Sequence, residues 1–140
     1  MSKIVYNRSC ANTDAFALLV EGWNELVQDG FTPDGLASPP ISAEKEVLFA
    51  VSKEGDIVGT IAFDYVAGRD ALVIALGYVE ASSRRKGVFT ELYAALKARA
   101  TEAGVKRILI PVAPNNAVAL AVLAKLGSVA ESVLYAADTA

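Results

Sequence analysis

Arg84, Arg85 and Lys86 stand in a row and are followed by Gly87, Val88, Phe89 and Thr90. This segment leaves an apolar strand that ends near Tyr78, Val79 and Glu80, crosses Ala81, Ser82 and Ser83, and enters a helix start. The first N–H groups of a helix lack intrahelical acceptors, and the helix dipole there favours an anion. Gly87 would let a ligand reach the main chain with no Cβ in the way. Read together, these residues spell a phosphate cradle. The competing reading is a solvated helix start with a few surface cations. Cations near a helix start are unfavourable without an anion, so their placement itself points to one. The Gly-rich lead and the Gly-Lys-Ser/Thr ending of a nucleotide P-loop are missing.

Little other catalytic chemistry is on offer. Cys10 is the one cysteine and the chain has no histidine. A catalytic cysteine usually needs a histidine base, so Cys10 reads as a buried filler. It cannot form an intramolecular disulfide, and the usual zinc sites are excluded. No carboxylates have calcium-loop spacing. No metal is expected.

The elements that must position the cradle follow from periodicity. Residues 3–9 read as a first strand. Asn12, Thr13 and Asp14 offer N-cap chemistry for a helix closed by Gly30. Phe16, Leu19, Val20, Trp23, Leu26 and Val27 form its apolar stripe. Residues 31–46, with Pro33, Gly35, Pro39 and Pro40, read as a loop. Residues 46–53 and 57–65 read as a hairpin turning at Glu54-Gly55-Asp56. Residues 71–80 are nearly all apolar, which predicts a central strand covered on both faces. Residues 84–103 read as a second helix, 105–112 as a strand, 115–126 as a third helix and 128–137 as a final strand. The strand–helix–strand run predicts a right-handed crossover with parallel pairing. The expected fold is one α+β domain spanning 1–140, with a mixed sheet.

The bulk properties agree. The chain has 140 residues, 54% of them hydrophobic and 21% charged, enough for one substantial core. A net charge of −3 argues against a nucleic-acid face and mildly favours cationic partners. The N-terminal segment lacks the apolar region of a signal peptide, and no apolar run suggests a membrane span. A cytoplasmic protein without nucleic-acid or membrane partners is expected. A homodimer is left open.

At Arg84-Arg85-Lys86-Gly87-Val88-Phe89 the chain resembles the GNAT superfamily of N-acetyltransferases. Its cofactor motif is Arg/Gln-x-x-Gly-x-Gly/Ala, after a strand and opening a helix. Downstream, Asn115-Asn116-Ala117-Val118-Ala119 and Lys125-Leu126-Gly127-Ser128 resemble the family's Asn-x-x-Ala and Gly-Phe. The element order fits along the whole chain, and the motif evidence lies in 71–128. The resemblance implies splayed fourth and fifth strands with the pantetheine of acetyl-CoA lying between them. Main-chain groups near Tyr78 and Val79 would pair with it. Amides of Arg85, Lys86, Gly87, Val88, Phe89 and Thr90 would hold the pyrophosphate, and Arg84 would brace the loop. Asn116 would face the pantetheine or cap the last helix. The acceptor, a small-molecule or peptide amine, would lie near Trp23, the 31–46 loop and Tyr135. Asp34, Glu44 and Glu46 could attract it. Trp23 fits the core stripe equally well.

The implied reaction is direct attack of an amine on the thioester. Glu80 is the first candidate base, with a solvated strand-end carboxylate as its alternative. Tyr135 and Tyr78 are candidates for hydrogen bonding or for an acid. Several departures matter. Phe89 stands for the second motif Gly/Ala, Ser128 for the usual Phe, and Leu123 for a frequent Tyr acid. Val73 and Pro111 occupy the usual base positions, and the family's seventh strand is missing or very short. An acyl-CoA-binding module without catalysis, and an unrelated α+β phosphate binder, stand as alternatives.

Overall fold

The computed structural model describes residues 3–11, 13–31, 42, 45–131, 137 and 139. Five strands form one sheet in sequence order: β1 (Lys3–Asn7), β2 (Glu46–Val51), β3 (Ile57–Val66), β4 (Ala71–Val79) and β5 (Arg107–Leu109). The first four pair antiparallel, and β5 runs parallel to β4. The helices are α1 (Thr13–Gln28), α2 (Val88–Glu102) and α3 (Ala117–Lys125). Helix α2 is the crossover that a parallel β4–β5 pair requires.

The apolar strands are buried on both sides. On one face Ala15, Leu19 and Trp23 of α1 pack with Val47, Phe49, Ala62 and Leu76. On the other, Val88, Leu92, Leu96 and Ala100 of α2 pack with Leu48, Ile61, Phe63, Leu72 and Ile74. Alternate residues of β2 thus serve opposite layers, which is why Val47 to Val51 reads as an unbroken apolar run. Cys10 is fully buried in the α1 layer, as a filler should be.

Strand β4 changes face partway. Its register against β3 runs Gly59↔Val79 to Ala62↔Leu76, then jumps to Phe63↔Ile74. Ala75 is therefore an extra residue, a β-bulge, and a bulge reverses the inside–outside phase beyond it. Leu72 and Ile74 face α2, whereas Ala75 and Leu76 face α1. Tyr78 follows Leu76 onto the α1 side and meets Gly22. A Cβ at position 22 would lie 2.6–2.7 Å from the Tyr78 Cβ and ring atoms. Helix α1 crosses β4 at this point because glycine leaves room for the ring.

Four expectations are corrected. Helix α2 begins at Val88, not Arg84. Ala81–Ser83 form a 3-10 turn, and Arg85 and Gly87 have φ of +62° and +80°, which no right-handed helix accommodates. Strand β5 covers Arg107–Leu109, well short of 105–112, because β4 offers it partners only at Ala71, Leu72 and Val73. Residues 128–131 are not in a strand; of the rest of that expected strand, 132–136 lie outside the described residues. The buried stripe of α1 includes Ala15 and Leu18, while Val27 is 49% exposed. Helical spacing gave a stripe, and contact with the sheet fixed its rotation.

The α1–β4 crossing is testable. Gly22→Ala should destabilise the fold by about 1–3 kcal/mol, the usual range for overpacking a well-filled core. The shift in urea unfolding midpoint measures it, and an unchanged midpoint would refute the close packing.

Candidate functional site

The site starts from an edge. Strand β5 pairs with β4 only as far as Val73, so from Ile74 to Val79 that edge has no strand partner among the described residues. The Glu80 N–H donates to the Val58 carbonyl at 3.0 Å, so residue 80 turns its main chain toward β3. Alternation then directs the main-chain groups of Gly77 and Val79 to the open edge. There the Val79 carbonyl already accepts from Arg84 Nε, so Gly77 N–H and C=O and the Val79 N–H remain for a ligand. A ligand with amide groups could add there as a strand would.

The loop beyond the strand is built by short-range bonds. Ser83 N–H donates to the Glu80 carbonyl at 3.0 Å, and the hydroxyls of Ser82 and Ser83 donate to the Glu80 carboxylate at 3.0 and 2.9 Å. Gly87 is the N-cap of α2, and its carbonyl accepts the first helical bond, from Glu91 N–H at 3.0 Å. The N–H groups of Val88, Phe89 and Thr90 come before any intrahelical acceptor. Gly87 at φ +80° has no atom within 4 Å of where a Cβ would sit, so the space above the helix start is open. Arg85 and Lys86 are exposed and belong to no ion pair among the described residues. Two exposed cations directly precede a helix start whose first amides lack intrahelical acceptors, a combination that suits a diphosphate.

Arg84 does not share that arrangement. Its Nε donates to the Val79 carbonyl at 2.9 Å, and its Nη2 reaches both carboxylate oxygens of Glu25 at 2.8 and 2.9 Å. The guanidinium lies over the Tyr78 ring, 5.2 Å from the centroid. The Tyr78 hydroxyl donates to Glu25 at 2.7 Å, with Glu21 at 3.5 Å. Bonds from Arg84 and then Tyr78 hold the Glu25 carboxyl below the usual carboxylate range. Burial first, and Glu25 second, push the Tyr78 phenol far above its ordinary value, so it stays neutral at physiological pH.

Helix α2 can reach this edge because the sheet beneath it is thin. A Cβ at Gly59 would lie 2.8 Å from Val88 Cγ1, and one at Gly77 would lie 3.1 Å from Phe89 Cε1. Phe89 stands where the motif has a small residue, and Gly77 on the facing strand supplies the missing space. The Phe89 ring also stacks on Tyr93, with centroids 6.3 Å apart.

The remaining candidates are dispersed. Glu80 is half-buried at the strand end, tied to its two serines. Trp23 is 7% exposed and sits in the α1 core layer, the packing alternative for that residue. Asn116 caps α3 by accepting from Ala119 N–H at 3.2 Å, and the Asn115 amide donates to the Gly30 carbonyl at 3.2 Å. Tyr135, Asp34 and Glu44 lie outside the described residues. Glu46 accepts a hydrogen bond from Tyr6 at the far end of the sheet. The outer face of α1 lines a shallow cleft through Ala17, Val20, Glu21, Asn24, Glu25 and Gln28. Sequence reading missed Glu25 and Gly22. One possible signal was the Gly22–Glu25 spacing, which puts a gap and a carboxylate one turn apart on α1, but nothing local tied either to β4.

An open-edged fourth strand running into a helix start with unpaired amides, and a parallel fifth strand after the crossover, is the arrangement of an acetyltransferase fold. The family model described as Acetyltransferase (GNAT) family matches residues 13–128, and the chain belongs to that family of N-acetyltransferases. No curated protein sequence matches it significantly. Among solved structures, the chain is similar to AAC(6')-Iy in complex with the bisubstrate analog CoA-S-monomethyl-acetylneamine: 20% identity, TM-score 0.70, covering 100% of this chain and 99% of the other. It is also similar to the ribosomal-protein-alanine N-acetyltransferase of Brucella melitensis biovar Abortus 2308, at 17% identity and TM-score 0.69 with 99% of each chain covered. The aminoglycoside 6'-N-acetyltransferase AAC(6')-Ih of Acinetobacter baumannii gives 18% identity and TM-score 0.69, covering 100% and 99%. At these identities the likeness establishes the fold.

The neutral phenol gives a pH prediction. The folded pKa of Tyr78 is raised, so its stabilising contribution is complete below the unfolded value, about 10, and falls as pH rises beyond it. Above that point wild type should lose up to about 1.4 kcal/mol more per pH unit than Tyr78→Phe. Urea midpoints of both forms across this range measure it, and parallel curves would contradict the assignment.

Proposed function

We propose that the protein transfers an acetyl group from acetyl-CoA to a primary amine by direct attack. The observation that carries this reading is the continuity of the open β4 edge with the amide-lined start of α2. A pantetheine arm needs amide partners along an extended edge, and a diphosphate needs N–H groups and positive charge at its end. Gly77 and the Val79 N–H offer the first, and Arg85 to Thr90 offer the second. When bound, acetyl-CoA would supply the activated acyl thioester. The AAC(6')-Iy relative is described in complex with CoA, which supports the donor.

An amine is protonated at neutral pH and must lose its proton before it attacks. Glu80 is the carboxylate at the strand end, and its two serine hydroxyls fix its orientation. We assign it as the proton acceptor, directly or through water. Main-chain N–H on the open edge would polarise the thioester carbonyl. The acceptor would approach along α1, where Glu21, Asn24 and Gln28 make a polar, acidic cleft suited to a hydrophilic cationic amine. Several of the similar structures are aminoglycoside acetyltransferases, which agrees with such an acceptor. A protein or peptide amine is the alternative, in keeping with the ribosomal-protein-alanine relative.

Two variants test this reading. Gly87→Glu puts a carboxylate on the anion site and a side chain at positive φ; acetyl-CoA affinity should fall about tenfold or more, equal to about 1.4 kcal/mol. Thermal shift with acetyl-CoA, CoA and ATP reads this out, and unchanged affinity would remove the loop from the site. Glu80→Gln keeps the shape but not the proton-accepting charge. Turnover should drop roughly 100-fold with little change in acetyl-CoA affinity. Wild-type turnover with an unaltered pH profile would leave catalysis to the juxtaposition of the substrates. Thiol release with a panel of amines separates an enzyme from a binding module.

A further inference from the structure

Glu25 lies on α1, 59 residues from Arg84 in sequence, yet it is the acidic partner of the first cation of the loop. Nothing in the phosphate-binding motif calls for it. We infer that Glu25 is a positioning residue for the cofactor loop: it turns Arg84 away from the anion site and fixes the loop in its binding shape before the donor arrives. This rests on the acetyltransferase reading and adds a residue from another element to the site.

The contacts make the case. Arg84 is held at both ends of its guanidinium, by the Val79 carbonyl through Nε and by the Glu25 carboxylate through Nη2. Tyr78 completes the arrangement from below, its hydroxyl on Glu25 and its ring under the guanidinium. Gly22 admits that ring to α1, so helix, strand end and loop meet in one cluster. Residues 80–87 have few other hydrogen bonds to the rest of the fold among the described residues. The Glu80 N–H bonds β3 and the Gly87 carbonyl accepts from Glu91 N–H in α2, while Ser82, Ser83 and the Arg84 N–H bond within the turn. Two residues of the loop, Arg85 and Gly87, hold left-handed backbone, and Arg85 does so with a side chain that disfavours it. Such a conformation persists only where surrounding contacts enforce it. The Glu25–Arg84 anchor adjoins that strained turn.

Magnitudes separate positioning from stability. The paired side chains are 41% and 37% exposed, and a pair so exposed contributes little to folding stability. Its effect should therefore fall on the geometry of the loop amides. Charge is the second consequence. Arg84 is neutralised by Glu25, which leaves Arg85, Lys86 and the helix start to attract the diphosphate.

The test is Glu25→Gln, with Glu25→Asp beside it. Gln breaks the ion pair but keeps the side-chain length. The KM for acetyl-CoA should rise about tenfold, more than any change in kcat at saturation or in the acceptor KM, because a displaced loop impairs donor capture. Glu25→Asp should recover part of the loss. The loss should be smaller with S-acetylpantetheine, a donor without the diphosphate, whereas a general folding defect would affect both donors alike. An unchanged donor KM would overturn the inference. Tighter donor binding would overturn it too, as a freed Arg84 would then be serving the diphosphate. A rise confined to the acceptor KM would make Glu25 an acceptor contact and also overturn it. If neither acetyl-CoA nor CoA binds the wild-type protein, the acetyltransferase reading fails and takes this inference with it; if wild type binds and Glu25→Gln matches it, only the inference fails.

Discussion

Every buried strand must find partners for its N–H and C=O groups along both edges. Strand β4 meets that demand on its β3 side along its length except at the Ala75 bulge, and for only three residues on its β5 side. The bulge at Ala75 lies just past the last β5 pair, and bulges bend a strand and increase its twist. Beyond it the edge has no strand partner among the described residues, and Gly77 and the Val79 N–H present main-chain groups there. The short β5, the change of face at Tyr78 and the position of the loop are all read from this one strand. An exposed edge of this kind invites a partner, and a ligand that resembles a strand is one way to satisfy it.

The charge arrangement beyond the strand obeys a second constraint. Three successive cations beside a helix N-terminus are poorly placed for a helix on its own. The structure resolves part of this by ending the loop before the helix starts, so the cations lie outside the first turn. It resolves another part by assigning Arg84 to Glu25 on α1. What remains is Arg85, Lys86 and the amides of Val88, Phe89 and Thr90, the surface proposed above for the diphosphate. The same cluster favours a neutral Tyr78 and a charged Glu25, the forms its hydrogen bonds require.

Packing gives the loop its depth. Gly59 and Gly77 remove side chains from the sheet where Val88 and Phe89 descend, and Gly22 does the same for Tyr78 on the other face. Phe89 looked like a poor fit to its motif position. It is accommodated because the small residue needed at that contact sits on β4. Complementarity between two elements replaced a small residue within one.

The sequence by itself determined the local features of this protein. The β2–β3 hairpin, the apolar run of β4, the helix closed near Gly104 and the cation–glycine segment were all legible, because each depends on periodicity or turn chemistry within a few residues. The two motifs at their spacing made the family recognisable. Tertiary structure alone decided the rest. The bulge at Ala75 is a matter of register between two strands, and no residue type announces it. The length of β5 depends on where β4 stops offering partners. The start of α2 shifted from Arg84 to Val88 because left-handed backbone at Arg85 and Gly87 overrode helical propensity. Trp23 suited either a core or an acceptor wall by its spacing, and the rotation of α1 against the sheet put it in the core. Glu25 could not be picked out at all, since an ion pair across 59 residues exists only once α1 has been laid across β4 at Gly22.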